Sequence, residues 1–206
     1  MTGPIWLVRH ASTDWTGARW CGRTDLPLSA TGVAEANDLA VRLASIAPAG
    51  VALVSSPARR ARQTAEAFAR RLPGGFAGSV AVDEGLREVD FGLAEGCTWA
   101  ELERRLPGLA AELAAGRSGV DWPDGETDRT FRARIKAAWD RLAARDQPVV
   151  AVCHGGVIRA ALAEIGLVPD PDEGWSIGPA SVVELHRTGG MWAFAPLDRP
   201  IPSRPL

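Results

Sequence analysis

The feature that most constrains the fold is a regular alternation of short apolar runs and longer helical patterns along the chain. The runs are rich in β-branched residues, which is typical of buried strands, and they cover residues 5–8, 51–54, 80–82 and 149–152. Helical patterns cover about 29–46, 58–72, 128–145 and 156–165. Strands that alternate with helices predict an α/β domain with a mostly parallel sheet.

Local signals indicate where some elements begin and turn. Ser29 can cap the first helix, because its hydroxyl can accept a backbone N–H of the first turn. One face of that helix is predicted to hold Val33, Ala36, Leu39, Leu43 and Ile46. Near the end, residues 181–185 and 192–194 flank Gly189-Gly190 and predict a β-hairpin.

Two segments depart from this rhythm. Residues 96–127 contain short helical pieces broken by proline and glycine, and both a lid over a site and an ordinary surface excursion fit that pattern. Residues 196–206 carry four prolines and are predicted to be extended. The total of 206 residues fits one domain that includes both segments.

Composition excludes several classes of protein. A net charge of −2 argues against a nucleic-acid or membrane-surface partner. The three cysteines form no CxxC pair, so neither a disulfide framework nor a zinc knuckle is indicated. The first residues lack the features of a signal peptide, and no apolar stretch is long enough for a membrane span. We therefore expect a cytoplasmic protein whose oligomeric state the sequence leaves open.

Chemically useful side chains follow the predicted strands at the points where they end. Ligands of open α/β sheets bind beyond the carboxyl ends of the strands, so these groups are expected to converge at one edge. The groups in question are Arg9-His10, Ser55-Ser56 with Arg59, Arg60 and Arg62, Arg87-Glu88, and His154-Gly155-Gly156.

This set of groups suits phosphoryl transfer. Arginines and a helix amino terminus favour a phosphate, and a neutral imidazole is a good nucleophile. A carboxyl group such as Glu88 could protonate the leaving oxygen. With three histidines in the chain and no loop rich in Asp and Glu, no metal or other cofactor is expected.

At this point the sequence resembles the histidine phosphatase superfamily, the phosphoglycerate-mutase-like proteins. The resemblance covers most of the chain, from about residue 5 to residue 185. It rests on five motifs in the family's order: LVRHAST (7–13), CGRTDLPLSATG (21–32), SSPARRARQTA (55–65), LREVDFGLAEG (86–96) and VCHGGVIR (152–159).

The resemblance implies roles for individual residues. His10 would be the phospho-accepting histidine and Glu88 the proton donor. The phosphoryl oxygens would be held by Arg9, Arg60 and His154, with the RAxQTA register selecting Arg60. Substrate contacts are implied for Thr16, Cys21, Gly22 and Gly155, with Cys21 and Gly22 acting through their backbone. The chain departs from the family pattern at Ala11, often Gly, and at Thr16, often Asn.

We expect a three-layer α/β/α sandwich with a mostly parallel sheet and an irregular cap at 96–127. The implied function is hydrolysis of a small phosphate monoester through a phosphohistidine, in a branch resembling α-ribazole phosphatase. A 2,3-bisphosphoglycerate-dependent mutase and a weakly catalytic phospho-ligand binding module are the alternatives. An α-ribazole phosphate, a phosphoglycerate, a sugar phosphate or a nucleotide would each fit.

Structural rather than catalytic roles are expected for several further residues. Trp99 and Trp122 are expected to bury the 96–127 segment against the body of the domain. The PDGET stretch (123–127) resembles an element of small-molecule phosphatases, and it also fits a turn with a helix cap at Asp124 or Thr127. His186 has no partner motif and is expected to be non-catalytic. A substrate's second anionic group could meet Arg23 or the Arg104-Arg105 pair, although a solvated surface is the simpler expectation.

Overall fold

The computed structural model describes residues 3–72, 79–117, 119–167 and 177–194. The strands in these ranges form one mixed sheet of six: β1 (Ile5–Arg9), β2 (Ala52–Ser55), β3 (Ala81–Val82), β4 (Val149–Cys153), β5 (Val182–Thr188) and β6 (Met191–Phe194). The α-helices are α1 (Ala30–Ile46), α2 (Arg59–Ala69), α3 (Trp99–Arg105), α4 (Pro107–Ala114), α5 (Asp128–Ala143) and α6 (Gly155–Glu164).

The strand order is β3-β2-β4-β1-β5-β6, and the first four strands are mutually parallel. The last two are antiparallel to their neighbours. Because β1, β2 and β4 run in the same direction, their carboxyl ends share one edge of the sheet. That edge carries the residues that follow these strands in sequence.

Helices cover both faces of the sheet, which confirms the predicted three-layer α/β/α fold. Side chains alternate along β1, so Ile5 and Leu7 enter one core and Trp6 and Val8 enter the other. The first core also contains residues of α5 and α6, and the second contains residues of α1 and α2. The site edge is therefore supported from both sides by packed helices.

The cap of α1 is as predicted, but the limits of its buried face are not. Ser29 Oγ accepts the backbone N–H of Gly32 at 3.0 Å. Val33 and Ile46 are 48% and 54% exposed, contrary to the prediction. At 100° per residue they lie at the two margins of a stripe centred on small and leucine side chains: Gly32, Ala36, Leu39, Ala40 and Leu43.

The segment 96–127 contains α3 and α4, and its two tryptophans behave differently. Pro107 is the first residue of α4, where its missing N–H costs no hydrogen bond. Trp122 is buried at 9% exposure, as expected. Trp99 is 42% exposed and its indole donates to Glu103, so the prediction that it buries the segment is wrong.

The predicted hairpin is formed by β5 and β6. Gly189 and Gly190 both have positive φ, 59° and 87°, which is the backbone of a two-residue hairpin turn. The predicted extended tail at 196–206 lies outside the described residues. None of the helices in the described ranges is both long and apolar enough to cross a membrane.

Candidate active site

His10 directly follows β1, and its neighbours fix its tautomer. Nδ1 lies 2.7 Å from the carbonyl oxygen of Ala11, which can only accept, so Nδ1 carries the proton. Nε2 receives the Nε–H of Arg60 at 3.2 Å, and a guanidinium can only donate. His10 is thus a neutral imidazole whose unprotonated nitrogen faces a cation.

Arg60 is buried, with 1% of its surface exposed, in the first turn of α2. Its guanidinium donates to the carbonyl oxygens of Thr24 at 2.9 Å, Cys21 at 3.2 Å and Gly22 at 3.0 Å. Its Nη2 also lies 3.3 Å from Nδ1 of His154. Within the described residues none of its hydrogen-bond partners is a carboxylate. The charge is therefore solvated by peptide dipoles and remains able to attract an anion.

His154 is fully buried at the end of β4, beside His10. Because its Nδ1 accepts from Arg60, its proton is on Nε2, which donates to Ser56 Oγ at 2.8 Å. The two histidine rings meet edge to face, with centroids 5.0 Å apart. Sequence reasoning assigned no role to Ser56. The signal was its place directly after β2, at the same sheet edge as both histidines.

Burial and neighbouring charge keep both histidines neutral. Desolvation, followed by the charge of Arg60, lowers the pKa of His10 to about 3, against the bond to Ala11, which raises it. Desolvation and then Arg60 also lower the pKa of His154 well below its ordinary value. At neutral pH the Nε2 lone pair of His10 is therefore free of a proton.

Glu88 lines the cavity beside the start of α6 and is 9% exposed. Its Oε1 accepts the backbone N–H of Val89 at 3.0 Å, and its Oε2 accepts that of Gly156 at 3.1 Å. A Cβ on Gly156 would lie 2.4 Å from Glu88 Oε1. Only a glycine lets the carboxyl group approach the start of α6 this closely.

Arg9 is the last residue of β1 and points one guanidinium nitrogen, Nη1, at the carbonyl oxygen of Ile177, 2.5 Å away. Its Nε is buried and has no hydrogen-bond partner within the described residues. Burial, opposed by Glu88 and assisted by Arg159 and Arg60, lowers the pKa of Arg9. Arg9 thus lines the cavity with N–H groups that can donate to a bound anion.

Three of the four predicted substrate contacts line the same cavity as His10: Thr16, Cys21 and Gly155. Thr16 Oγ1 accepts the backbone N–H of Thr13 at 2.8 Å. Burial raises the pKa of the Cys21 thiol, which fits a contact through backbone rather than through sulfur. Gly155 is the first residue of α6.

Gly22 is placed differently from the expectation. Its backbone N–H donates to both carboxylate oxygens of Glu95, at 3.1 and 3.0 Å. Gly22 does not belong to the described lining of the cavity. Its contact with substrate stays a prediction.

The cavity measures about 830 Å³ and extends well beyond the two histidines. Arg60 and His154 are not among its described lining residues, although both contact the ring of His10. One wall is aromatic. Trp122 contacts the rings of Phe91 and Trp20, with centroids 4.6 and 5.2 Å apart. The full size exceeds what a phosphate group alone would occupy.

The PDGET stretch supports the loop that carries Glu88. Thr127 caps α5, in agreement with one of the two predicted caps. Glu126 binds the guanidinium of Arg134 with both oxygens, at 2.9 and 2.6 Å. Arg134 in turn donates to the carbonyl oxygens of Gly85 at 2.9 Å and Arg87 at 2.8 Å. Sequence reasoning missed Arg134, although the motif signalled its partner.

The arginines considered for a second anionic group lie elsewhere. Arg23 pairs with Asp90, and Arg105 contacts the sulfur of Cys97. Besides Arg9, the described cavity lining includes Arg19, Arg117, Arg132 and Arg159. Arg159 lies on the same face of α6 as Gly155. Within the described chain, Arg159 has no hydrogen-bond or ion-pair partner.

The described residues contain no group of three or more His, Cys, Asp or Glu side chains arranged to hold a metal ion. Cys21, Cys97 and Cys153 are free thiols. His186 pairs with Glu184 at 2.6 Å and lies outside the described cavity lining, consistent with its expected absence from the site.

Comparison with known proteins gives a family assignment. The model of the histidine phosphatase superfamily (branch 1) matches residues 5–198. The glucosyl-3-phosphoglycerate phosphatase of Mycobacterium tuberculosis is 34% identical over 201 residues, covering 91% of this chain and 85% of the relative. The probable phosphoglycerate mutase GpmB of Proteus mirabilis is 32% identical over 166 residues, covering 78% of this chain and 74% of the relative.

Solved structures agree with that assignment. The mycobacterial glucosyl-3-phosphoglycerate phosphatase in complex with VO3 is 30% identical, has a TM-score of 0.77, and covers 94% of this chain and 98% of its own. An alpha-ribazole-5'-P phosphatase candidate from Escherichia coli has a TM-score of 0.78 at 20% identity, covering 95% of each chain. The second likeness concerns the fold alone.

Proposed function

This chain belongs to the histidine phosphatase superfamily, and we propose that it hydrolyses a small phosphate monoester through a phosphohistidine on His10. The observation that carries this proposal is the forced tautomer of His10. Its Nε2 lone pair lies 3.2 Å from the Arg60 guanidinium, a cation with no carboxylate among its described partners. A phosphoryl group drawn to that cation would meet the nucleophilic nitrogen directly.

In the first step, the Nε2 lone pair of His10 attacks phosphorus and the P–O bond to the leaving group breaks. Glu88 gives its proton to the departing oxygen, so the alcohol leaves neutral. Arg9 and Arg60 offer N–H groups to the phosphoryl oxygens, whose charge grows in the transition state. The Nδ1–H bond to Ala11 holds the ring and stabilises the charge that the imidazole acquires.

In the second step, the Glu88 carboxylate takes a proton from water while the water oxygen attacks phosphorus. The P–N bond breaks, its electron pair returns to His10 Nε2, and inorganic phosphate leaves. Both chemical steps use the same carboxyl group in opposite directions. The chain's own residues thus supply the nucleophile, the acid/base and the charge stabilisation.

The cavity supports a substrate larger than a bare phosphoglycerate. Its volume of about 830 Å³ combines an aromatic wall with Arg159, which has no ion partner among the described residues. A carboxylate in the leaving group would give Arg159 a partner. The mycobacterial relative named as a glucosyl-3-phosphoglycerate phosphatase makes a glycosylated phosphoglycerate the first substrate to assay.

A phosphoglycerate mutase is the second candidate function, favoured by the similarity to GpmB. A mutase would keep the phosphohistidine away from water and return the phosphoryl group to an organic acceptor. Adding 2,3-bisphosphoglycerate with 3-phosphoglycerate discriminates the two functions. Isomerisation without release of phosphate would favour the mutase, and phosphate release would favour the hydrolase.

The first test is hydrolysis of p-nitrophenyl phosphate in EDTA by the wild type, His10→Ala and His186→Ala. We expect turnover that survives EDTA, is retained in His186→Ala and is abolished in His10→Ala. Activity that survives in His10→Ala would contradict the proposed mechanism. Binding of a phosphate analogue without turnover of p-nitrophenyl phosphate or of a phosphoglycerate would favour a phospho-ligand binding module.

A further inference from the structure

Glu95 lies in the same loop as Glu88 but serves no role in the chemistry described so far. Its carboxylate receives three consecutive backbone N–H groups. Gly22 donates to Oε1 and Oε2 at 3.1 and 3.0 Å, Arg23 to Oε2 at 3.2 Å, and Thr24 to Oε1 at 3.0 Å. Consecutive amides that converge on one anion form a nest, and each of these bonds is strengthened by the charge.

The same segment faces Arg60 with its carbonyl groups. The oxygens of Cys21, Gly22 and Thr24 accept from the guanidinium at 3.2, 3.0 and 2.9 Å. Two peptide groups, 21–22 and 22–23, therefore lie between an anion on their N–H side and a cation on their C=O side. Both charges orient the peptide dipoles in the same sense, so each set of hydrogen bonds strengthens the other.

Packing leaves this segment little freedom to move. A Cβ on Gly22 would lie 2.2 Å from the carbonyl oxygen of Val89 and 3.0 Å from Glu95 Oε2. The backbone of residue 22 is thus in direct contact with the loop that carries the acid/base. Glu95 joins that loop to the segment that holds Arg60.

From these contacts we infer that Glu95 is a positioning residue for phosphoryl transfer. It fixes the carbonyl groups of residues 21–24, these fix the Arg60 guanidinium, and Arg60 then aligns His10 and the phosphoryl oxygens. The inference rests on the proposed function, since it assigns Glu95 a role through two of that function's groups.

Glu95 does not act as a second proton donor in this arrangement. The backbone of residues 21–24 lies between Glu95 and Arg60, and Glu95 is absent from the described cavity lining, to which Glu88 belongs. A carboxylate on that side of the segment has no path to the leaving oxygen. Its effect must therefore pass through the segment it binds.

The test replaces the carboxylate with an amide of nearly the same shape. In Glu95→Gln, an NH2 group replaces one acceptor oxygen, so that a donor faces the backbone N–H groups of residues 22–24, which are donors too. We expect kcat to fall by about tenfold or more. The factor should be equal for p-nitrophenyl phosphate and 3-phosphoglycerate, because Arg60 contacts the phosphoryl group that both esters share.

A second readout does not depend on activity. The Nε–H resonance of Arg60, assigned by its loss in Arg60→Lys, should exchange slowly in the wild type, since this N–H is buried and bonded to His10. Exchange should become faster in Glu95→Gln. Glu101→Gln is the matched control: Glu101 also accepts a backbone N–H, from Thr98 at 2.8 Å, and should leave kcat and the exchange unchanged.

The outcomes separate the possibilities. A kcat within twofold of wild type, or a lower kcat with unaltered Arg60 exchange, would overturn the inference. If Glu95→Gln unfolds more readily than the control, Glu95→Asp replaces it; this variant keeps the charge but shortens its reach by one methylene. There we expect a smaller fall in kcat with the same faster exchange, and wild-type values of both would refute the inference. If the wild type shows no turnover that depends on His10, the proposed function is refuted. The exchange rate of the Arg60 N–H would still show whether Glu95 holds Arg60 in place.

Discussion

At the scale of single residues, the candidate site is defined by which atoms can donate and which can only accept. Arg60 can only donate, and this one fact assigns the protons of both histidines in opposite ways. His10 keeps its proton on Nδ1 and His154 keeps its proton on Nε2. The two imidazoles thus accept from different N–H groups of one guanidinium, His10 from Nε and His154 from Nη2.

Residue identity was the part of the site most accessible from sequence. His10, Arg60, Glu88 and His154 follow strands or begin helices, where motif and topology coincide. Ser56 was not predicted in its role, because a serine in a strand-end turn usually serves the local backbone. Its bond to His154 spans 98 positions of sequence, and only the three-dimensional arrangement reveals it.

Gly156 offers a direct test of how Glu88 is positioned. Gly156→Ala places a methyl group 2.4 Å from Oε1 of Glu88, so the carboxyl group must move away. We expect kcat for p-nitrophenyl phosphate to fall on the order of tenfold or more, because the carboxylate must reach the water that it activates in the second step. Gly108→Ala in α4, where an added Cβ meets nothing within 4 Å, is the control and should retain activity.

Ser56→Ala tests the hydrogen bond that fixes His154. The variant leaves the buried Nε2–H without an acceptor, so the free energy of unfolding should fall by about 1–3 kcal/mol. Chemical denaturation measures that loss, and kcat should fall together with it. Ser45→Ala removes an exposed serine whose hydroxyl bonds only within its own helix, at 2.7 Å from the carbonyl oxygen of Arg42. Equal stability of the two variants would contradict the assigned bond.

At the scale of elements, the sequence predicted the strands and the helices that carry the site. It did not predict which residues at the margins of a helix face are buried. The alternation along β1 and the cap of α1 follow from local chemistry. Val33 and Ile46 lie at the margins of the buried stripe of α1, and the periodicity does not define how wide that stripe is. The segment 96–127 was predicted only as irregular, since α3 and α4 are short and acquire their place from tertiary packing.

The turn before α5 is expected to matter for catalysis as well as for capping. Glu126 holds Arg134, which binds carbonyl oxygens of the loop that carries Glu88. Glu126→Gln should therefore lower kcat several-fold with little change in substrate binding, as steady-state kinetics would reveal. Glu103→Gln, which alters an exposed glutamate bonded to Trp99, is the control. An unaltered kcat in Glu126→Gln would mean that the acid loop holds its shape without this support.

At the scale of the whole molecule, two hydrophobic cores pack against opposite faces of the sheet. The edge formed by the carboxyl ends of the parallel strands carries the buried, neutral histidines. Topology explains why five separated motifs meet: strands β1, β2 and β4 are adjacent and parallel. The order of elements in the sequence predicted this meeting. The size of the cavity was not predictable, because it depends on side chains from distant segments that share no sequence pattern.

Burying neutral histidines should make the fold less stable in acid. The unfolded His10 takes up a proton near pH 6.5, whereas the folded residue does so only near its pKa of about 3. Between these values the unfolded state binds more protons, so stability falls as the pH is lowered. From pH 7.5 to 5.5 the contribution of His10 is about 1.4 kcal/mol, and His154 acts in the same direction.

Denaturant melts at both pH values measure this effect. The fall in the free energy of unfolding from pH 7.5 to 5.5 should be smaller in His10→Asn than in the wild type. It should be unchanged in His186→Asn, because His186 lies at the surface beside Glu184. A fall as large in His10→Asn as in the wild type would contradict a role of the buried His10 in acid sensitivity.

The proposed function depends on covalent phosphorylation of His10 during turnover, and this step can be tested by trapping the adduct. The Glu88→Gln variant, which cannot activate water for the second step, is mixed with p-nitrophenyl phosphate, whose p-nitrophenolate can leave without the proton that Glu88 supplies in the first step. The reaction is quenched in alkali and the protein is digested for mass spectrometry. We expect that the peptide containing His10 gains the mass of one HPO3 unit, and that the corresponding peptide of a variant that also carries His10→Ala gains none. Turnover by the wild type with no adduct on that peptide, or with the adduct on another residue, would contradict the proposed function.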